Sequence, residues 1–377
     1  MFKKMTALLL AALCFFSLTG FTAAPSAETV SIETVIREDT RFGFALADLS
    51  REELEAAGFQ LGDSVDLVFA GGLILEDVPY FDGFYVQVGE PVAVSYPGVD
   101  ILTITYNSEG IWKEEGLTEG EAVTITLREA GAYASVQETL SLSYSCLRED
   151  YASDESFCNF RALSGGALKE GLLYRGTTPV DNSRGRAAYT DALLKQNGIR
   201  LILDLADSEE ELAEHLAAED FNSPYALSLY EEGNLLPLAL TSDFPSQAYS
   251  QKVVTGLREI CRADGPIYIH CTEGKDRAGF VSMLLEALAG ASYEELRADY
   301  MTTYRNYYGV SAEETPEKYE AIAELYFDAF CDCLLGEEDL PEEELQSASY
   351  AEAAAAYLAM GGMTEAEIAA LTEFITE

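Results

Sequence analysis

The chain has 377 residues, of which 48% are hydrophobic, and its formal net charge is −43 at neutral pH. A chain of this length can form two domains that each have a hydrophobic core. The excess of carboxylates argues against nucleic acid or an anionic membrane surface as a partner, because both are bound by clustered Lys and Arg. Any anionic substrate must therefore be bound by a local group of basic residues.

The N-terminus has the pattern of an export signal. Lys3 and Lys4 precede an almost wholly apolar run over residues 7–16, and small residues follow up to Ala27. The apolar run is shorter than a membrane-spanning helix requires. Residues 1–27 are therefore predicted to be a signal peptide, and the mature protein is expected to be exported without stable membrane insertion. An uncleaved N-terminal anchor is the alternative.

Residues 28–147 are predicted to form a smaller, mostly-β domain. Ser50 and Glu53 form a capping box that opens a helix, and Gly58 closes it. The region has no catalytic constellation, and we expect a small accessory β-barrel. Its clearest strand patterns are rich in Val, Ile, Thr and aromatic residues and lie at Ser64–Phe69, Pro91–Tyr96, Ile101–Tyr106 and Ala122–Leu127.

The β region also resembles a known domain. Around Arg41-Phe42-Gly43 and Leu61-Gly62-Asp63 its pattern is similar to the C-terminal β domain of S-adenosylmethionine-dependent hydroxide adenosyltransferases. This resemblance carries no site residues. The polar stretch over residues 148–156 follows and is predicted to be a linker.

Beyond the linker, apolar segments alternate with helical patterns. Residues 199–205 and 266–270 have the continuous apolar character of buried parallel strands. Helices are predicted over residues 247–262 and 277–289. This alternation indicates an α/β domain over residues 157–377, with a largely parallel sheet flanked by helices.

The segment His270-Cys-Thr-Glu-Gly-Lys-Asp-Arg-Ala-Gly279 lies between the second of these strands and a helix. A loop in this position points backbone N–H groups inward and, with the helix dipole, forms an anion cradle. The same field favours a thiolate at Cys271, which can attack phosphorus. Arg277 can hold two phosphate oxygens. The predicted substrate-binding residues of the cradle are Thr272, Glu273, Gly274, Lys275, Ala278 and Gly279.

This segment resembles the H-C-x5-R signature of protein tyrosine phosphatases, and most of all the bacterial dual-specificity form H-C-x-x-G-K-D-R-x-G. Asn159-Phe-Arg161 and Leu173-Tyr-Arg-Gly176 are similar to the family's entry segment, and residues 357–371 are similar to its C-terminal helices. The resemblance therefore covers about residues 155–377. It implies a tyrosine-phosphatase-like fold and no metal or organic cofactor. The implied substrates are phosphorylated proteins, phosphoinositides or inositol phosphates; the oligomeric state is left open.

The resemblance also implies roles for individual residues. Cys271 is the nucleophile, Arg277 the phosphate ligand, and His270 orients the loop and supports the thiolate. Lys275 either adds positive charge beside the phosphate or is solvated. Arg175 is predicted to bind substrate by extending the basic pocket, with pairing to a carboxylate as the alternative.

Protonation of the leaving group requires a general acid, and two candidates remain. Asp276 lies in the loop itself. Asp243 precedes the nucleophile by a distance similar to that of the mobile acid loop in tyrosine phosphatases, although an ordinary Asp-containing turn is the alternative there. We favour Asp276 slightly.

One position departs from the family pattern, which has Thr or Ser after the Arg. Ala278 stands there instead, and it lacks the hydroxyl that helps the thiolate leave when the phosphoenzyme is hydrolysed. The departure predicts slow turnover and keeps open a catalytically weak module that binds phosphorylated ligands. An arsenate reductase, a third possibility, requires resolving cysteines near Cys271.

Overall fold

The computed structural model describes residues 29–97, 99–337 and 340–377. The predicted signal peptide over residues 1–27 lies outside this part of the chain. Within the described residues, no helix combines the length and the apolar character needed to cross a membrane.

The N-terminal part of the described chain forms a closed barrel. Its seven strands are β1 (Ser31–Glu38), β2 (Ala45–Ala47), β3 (Ser64–Phe69), β4 (Ile74–Phe81), β5 (Pro91–Val94), β6 (Leu102–Tyr106) and β7 (Ala122–Glu129). Around the barrel they follow the order β1-β2-β6-β5-β4-β3-β7. The β4–β5 pair is parallel and the other pairs are antiparallel. Apolar side chains from the strands fill the interior.

Three short helices accompany the barrel: α1 (Arg51–Ala57), α2 (Ile111–Glu114) and α3 (Ala134–Leu140). Helix α1 begins at the predicted capping box, in which the Ser50 side chain accepts from the Glu53 amide. It ends at Gly58, whose φ of 106° is a conformation that glycine adopts without steric cost.

The C-terminal part is built on a five-stranded sheet. Its strands are β8 (Arg161–Ala162), β9 (Leu173–Gly176), β10 (Leu201–Asp204), β11 (Leu235–Pro237) and β12 (Ile267–His270). Their order is β11-β10-β12-β9-β8; only the short edge strand β8 is antiparallel to its neighbour. This confirms the predicted α/β class with a largely parallel sheet, preceded by a mostly-β region.

Helices flank this sheet. The first seven are α4 (Asp154–Phe157), α5 (Ala187–Gln196), α6 (Glu209–Ala217), α7 (Pro224–Glu231), α8 (Gln247–Ile260), α9 (Asp276–Leu288) and α10 (Tyr293–Tyr308). The later ones are α11 (Pro316–Ile322), α12 (Ala329–Leu335), α13 (Glu342–Ser347), α14 (Tyr350–Met360) and α15 (Glu365–Thr376), with a π-helical segment, Ala323–Asp328, between α11 and α12.

The barrel packs directly on the sheet domain. Phe81 and Val94 of the barrel belong to the same buried apolar cluster as β12 and α9. At the polar edge of the contact, Arg41 pairs with Glu211 at 2.9 Å and donates to the carbonyl of Ala206. Because Ala206 follows the carboxyl end of β10, the barrel borders the edge of the sheet where α/β proteins place their sites.

Candidate active site

Cys271 lies at the carboxyl end of a central strand. Strand β12 is wholly buried between β10 and β9, as its run of apolar residues requires. Cys271 follows it directly and is only 3% exposed. Five residues later α9 begins at Asp276, so the loop between them has a strand end on one side and a helix N-terminus on the other.

The carbonyl groups of this loop are held from its outer side. Thr177 Oγ1 donates to Thr272 O at 2.7 Å, and Tyr307 Oη donates to Glu273 O at 2.9 Å. Gly274 O accepts from Asn159 at 3.1 Å. Among the described residues, the amides of residues 272–275 donate to no protein acceptor. With its carbonyls turned outward, the loop presents its N–H groups as an anion cradle.

Gly274 is required by the path of the loop. Its φ is +68°, and a Cβ added there would lie 2.3 Å from the carbonyl carbon of Gly176, at the end of β9. Gly279 was predicted to bind substrate, but a Cβ there would lie 3.1 Å from Arg175 Nη2 and from the Tyr300 ring. Gly279 therefore allows close packing behind the loop, and its predicted contact with substrate stays a prediction.

Arg277 spans the mouth of the cradle from the first turn of α9. Its Nη2 donates to Thr272 Oγ1 and its Nη1 to Leu240 O, each at 3.1 Å. The guanidinium is only half-buried and makes no ion pair with a carboxylate among the described residues. It can exchange these neutral acceptors for two phosphate oxygens, since a doubly hydrogen-bonded anion is the stronger partner.

His270 is buried directly beneath the loop. Its Nδ1 lies 3.4 Å from the carbonyl oxygen of Cys271 and 3.8 Å from Asp204 Oδ1. Burial lowers the pKa of His270 to about 4. The ring is therefore neutral at physiological pH and supports the loop as a hydrogen-bonding group, not as a charge. Asp204 itself accepts from the amides of Ala206 and Asp207, which gives it a structural role.

Arg175 lies behind the cradle and not inside it. The side chain is 0% exposed; Nη1 donates to Asp299 at 2.6 Å and Nη2 to Gly274 O at 2.8 Å. Arg161 also pairs with Asp299, at 2.6 Å. Burial by itself would raise the pKa of Asp299, but the two arginines hold it below its ordinary value. The prediction that Arg175 contacts substrate is therefore corrected. Arg175 pairs with the Asp299 carboxylate, which was the alternative, and it positions the loop.

Lys275 is neither solvated nor free. Its Nζ lies 5.8 Å from the ring centroids of both Tyr304 and Tyr326 and 3.8 Å from Asp276 Oδ1. Burial alone would lower the pKa of Lys275, but Asp276 and nearby groups raise it well above its ordinary value. The ammonium is therefore a fixed positive charge at the rim of the loop.

The two candidate acids occupy different places. Asp276 is the first residue of α9, with its side chain half exposed beside Lys275. After burial, it is the largest contributor to the raised pKa of Tyr304. Asp243 is exposed in the turn before α8 and instead raises the pKa of Cys333, again after burial. Asp276 thus lies beside Lys275 on the first turn of α9, whereas Asp243 lies in an exposed turn before α8.

Glu273 has its side chain on the outer rim of the loop. It accepts from Tyr144 Oη and pairs with Arg184 at 3.2 Å. Ala278 is fully buried on the first turn of α9, in the same apolar cluster as Cys271. The carboxylate of Glu273 is therefore occupied by protein groups, which leaves only its amide to the cradle.

Several residues that support the loop carried no functional signal in the sequence. Asn159 bridges the loop to α10 through Gly274 O and Thr303 Oγ1. Asp299 is an ordinary acidic residue within a helix, and Tyr144 lies in a polar connection. Only Asn159 could have been found, because it begins the Asn159-Phe-Arg161 segment that resembles the phosphatase entry region.

The other cysteines that the structure describes form no disulfide bond with Cys271. The six cysteines in the described part of the chain are all free, and Cys261 is exposed at the end of α8 while Cys271 is buried. In the same described ranges, no group of three or more His, Cys, Asp or Glu is placed to hold a metal ion.

The C-terminal part of the chain is similar to known proteins. Residues 155–377 match the family model described as the tyrosine phosphatase family. A Cupriavidus necator protein described as a tyrosine-protein phosphatase is 23% identical over 191 residues, which are 46% of this chain and 66% of that protein. The chain thus spans a little under two thirds of that relative's length.

Two solved structures are similar at lower identity. The core catalytic domain of the PP-IP phosphatase SIW14 from S. cerevisiae, in complex with citrate, is 16% identical, with a TM-score of 0.26; the match covers 44% of this chain and 94% of that one. TpbA of P. aeruginosa is 17% identical, with a TM-score of 0.25, over 60% of this chain and 96% of its own.

Proposed function

The chain belongs to the tyrosine phosphatase family, and on this basis we propose that it is an exported, cysteine-dependent phosphatase. It hydrolyses phosphomonoesters, either phosphotyrosine or phosphoinositides and inositol phosphates, through a phosphocysteine intermediate. The observation that carries the proposal is the cradle, in which loop carbonyls are bound from outside while Cys271 and Arg277 lie at its base and mouth. Residues 1–27 support export, which N-terminal sequencing of the mature protein tests.

The proposed reaction has two steps. The Cys271 thiolate attacks phosphorus, the bond to the leaving oxygen breaks, and Asp276 gives that oxygen a proton. Water then attacks the phosphocysteine and gives a proton back to Asp276, inorganic phosphate forms, and the sulfur leaves again as a thiolate. Arg277 and the loop amides stabilise the charge on the phosphoryl oxygens in both steps.

The substrate class is tested by phosphate release from phosphotyrosine peptides, phosphoinositides and inositol phosphates. The proposal expects turnover of at least one class without added metal and in the presence of a chelator. If no class is hydrolysed although inorganic phosphate still binds, the protein is a binding module and the proposed activity is wrong.

The general acid is identified by paired substitutions. Asp276→Asn is expected to lower kcat about a hundredfold for a substrate with a poor leaving group, because the leaving oxygen then departs without a proton. Asp243→Asn is expected to change it less than tenfold. Steady-state assays with aryl phosphates of different leaving-group pKa distinguish the two. The assignment reverses if Asp243→Asn shows the larger, leaving-group-dependent loss.

The second step is expected to limit turnover because Ala278 has no hydroxyl. A hydrogen bond to a charged group contributes about 1.5–3 kcal/mol, so its absence slows departure of the thiolate roughly ten- to hundredfold. Rapid mixing should show a burst of phenol followed by slow turnover. Ala278→Thr should raise the steady-state rate and shrink the burst.

Ala278→Val is the matched control for this variant, since valine has the shape of threonine without the hydroxyl. It should leave the burst in place. A wild-type time course without a burst, together with an unchanged rate in Ala278→Thr, means that thiolate departure does not limit the reaction.

The same residue supports a second candidate function. Ala278 is fully buried in the apolar cluster that contains Cys271 and offers no hydrogen bond to its sulfur. If the thiolate could not leave the phosphocysteine, the protein would bind phosphorylated ligands and turn them over at most once. Absence of phenol release even in the first turnover would favour this binding function over hydrolysis.

A further inference from the structure

The β5–β6 loop of the barrel is fixed at its base and carries an exposed tyrosine. Ser95 donates its amide to Phe81 O at 2.9 Å, and Tyr80 Oη donates to Ser95 Oγ at 3.1 Å. Arg51 also donates to the carbonyl of Ser95. Tyr96 follows this anchored residue and is 39% exposed. The backbone that leads into Tyr96 is therefore held by the barrel.

A continuous series of contacts joins Tyr96 to the cradle. The Tyr96 ring meets the Phe84 ring edge-on at 5.8 Å. The Phe84 carbonyl accepts from Tyr326 Oη at 3.1 Å, and the Tyr326 ring lies 5.8 Å from Lys275 Nζ. Lys275 is part of the cradle itself, so the barrel reaches the rim of the active site through two aromatic residues.

The charges that act on Tyr96 come from the same rim. Desolvation raises the pKa of the Tyr96 phenol above its ordinary value, and the strongest charged neighbour is Lys275, which opposes the rise. Asp276 and Glu273, both from the loop, add to it. Together with the contacts through Phe84 and Tyr326, these charges indicate that Tyr96 lies near the loop, although it is about 175 residues earlier in the chain and in the barrel.

We propose that Tyr96 is a specificity-determining residue, with which the barrel completes the active site. Together with Phe84 and Tyr326, through which it is joined to Lys275, it forms an aromatic wall against which the organic group of the substrate lies. The inference rests on the proposed function, because the wall acts on a phosphoryl group held in the cradle.

The chemistry of the wall favours a flat, uncharged organic group. Aromatic rings pack well edge-to-face or offset against another ring. The charge of Lys275 is already shared by two rings and Asp276, so less of it is available to a second anionic group. An aryl phosphate therefore fits this rim better than a polyphosphorylated headgroup.

Binding of two probes tests the wall without requiring turnover. Calorimetry measures the Kd of a non-hydrolysable arylmethylphosphonate, which has an aromatic group, and of inorganic phosphate, which has none. Tyr96→Ala should raise the Kd of the phosphonate about tenfold, through the lost ring contact, and leave that of phosphate unchanged. Tyr96→Phe should retain the wild-type phosphonate affinity, since the ring remains.

Tyr189→Ala is the matched control, because Tyr189 is similarly exposed at 37% but lies on α5. It should change neither Kd. Equal weakening of both probes by Tyr96→Ala, or no change in either, overturns the inference. A wild-type protein that binds the phosphonate but releases no product refutes the proposed hydrolysis alone; one that binds neither probe refutes both.

Discussion

Cys271→Ser is expected to lower kcat by roughly 10⁴-fold or more, which is the scale on which loss of a catalytic nucleophile acts. The loop amides and the helix N-terminus stabilise a thiolate, whereas a serine hydroxyl at the same place stays protonated at neutral pH. Binding of inorganic phosphate should survive, because the amides and Arg277 are unchanged. Steady-state phosphate release and calorimetry measure the two effects separately.

Cys261→Ser provides the control for this experiment. Cys261 is exposed at the end of α8, whereas Cys271 is buried at the end of β12. Its replacement should leave the rate and the affinity at their wild-type values. Activity retained in Cys271→Ser would mean that another group attacks phosphorus.

Arg277→Lys is expected to lower kcat about 10³-fold, the upper end of the range for removal of one transition-state donor. An ammonium keeps the charge but cannot reproduce the planar, two-point contact of a guanidinium with phosphate. The substitution also removes the hydrogen bonds from Arg277 to Thr272 Oγ1 and Leu240 O. Both acceptors are neutral and the arginine side chain is only half-buried, so we expect the protein still to fold. The rate of aryl phosphate hydrolysis measures the loss in kcat, and a thermal unfolding curve shows whether the variant is folded.

The corresponding control is Arg262→Lys. The Arg262 side chain is 71% exposed and pairs with Glu259, three residues earlier. Its replacement should have no effect on catalysis, because exposed pairs of this kind contribute little. A near-normal rate in Arg277→Lys would place the phosphate elsewhere in the molecule.

The sequence was most informative where a local pattern determines the structure. The apolar run before Cys271 is β12, and the capping box at Ser50 begins α1 as predicted. Each of these signals depends on residues at most a few positions apart. For the same reason the order of strands and helices, and with it the α/β class, could be predicted.

Three barrel strands were not identified from the sequence. Strand β4 contains Pro79 and has Asp77 at a φ of 60°, and both interrupt the strand pattern. Strand β2 has only three residues, and β1 carries charged residues along its length. These strands exist because neighbouring strands in the closed barrel supply their hydrogen-bond partners, which propensity alone does not reveal.

The contacts of the residues that surround the cradle could not be predicted from the sequence either. Whether Arg175 faces the substrate or the back of the loop depends on Asp299, which lies 124 residues later in the chain and pairs with it. Likewise, nothing in the barrel sequence distinguishes Tyr96 from other exposed tyrosines. Both roles arise from tertiary packing, and neither leaves a local pattern.

The most direct measurement of the central claim is mass spectrometry of the protein quenched in acid during the first turnovers of an aryl phosphate. Because slow departure of the thiolate should let the phosphoenzyme accumulate, we expect one phosphoryl group on the peptide that contains Cys271. The adduct should be absent from Cys271→Ser and diminished in Ala278→Thr. Release of phenol without any adduct on Cys271, or an adduct on a different residue, would contradict the account.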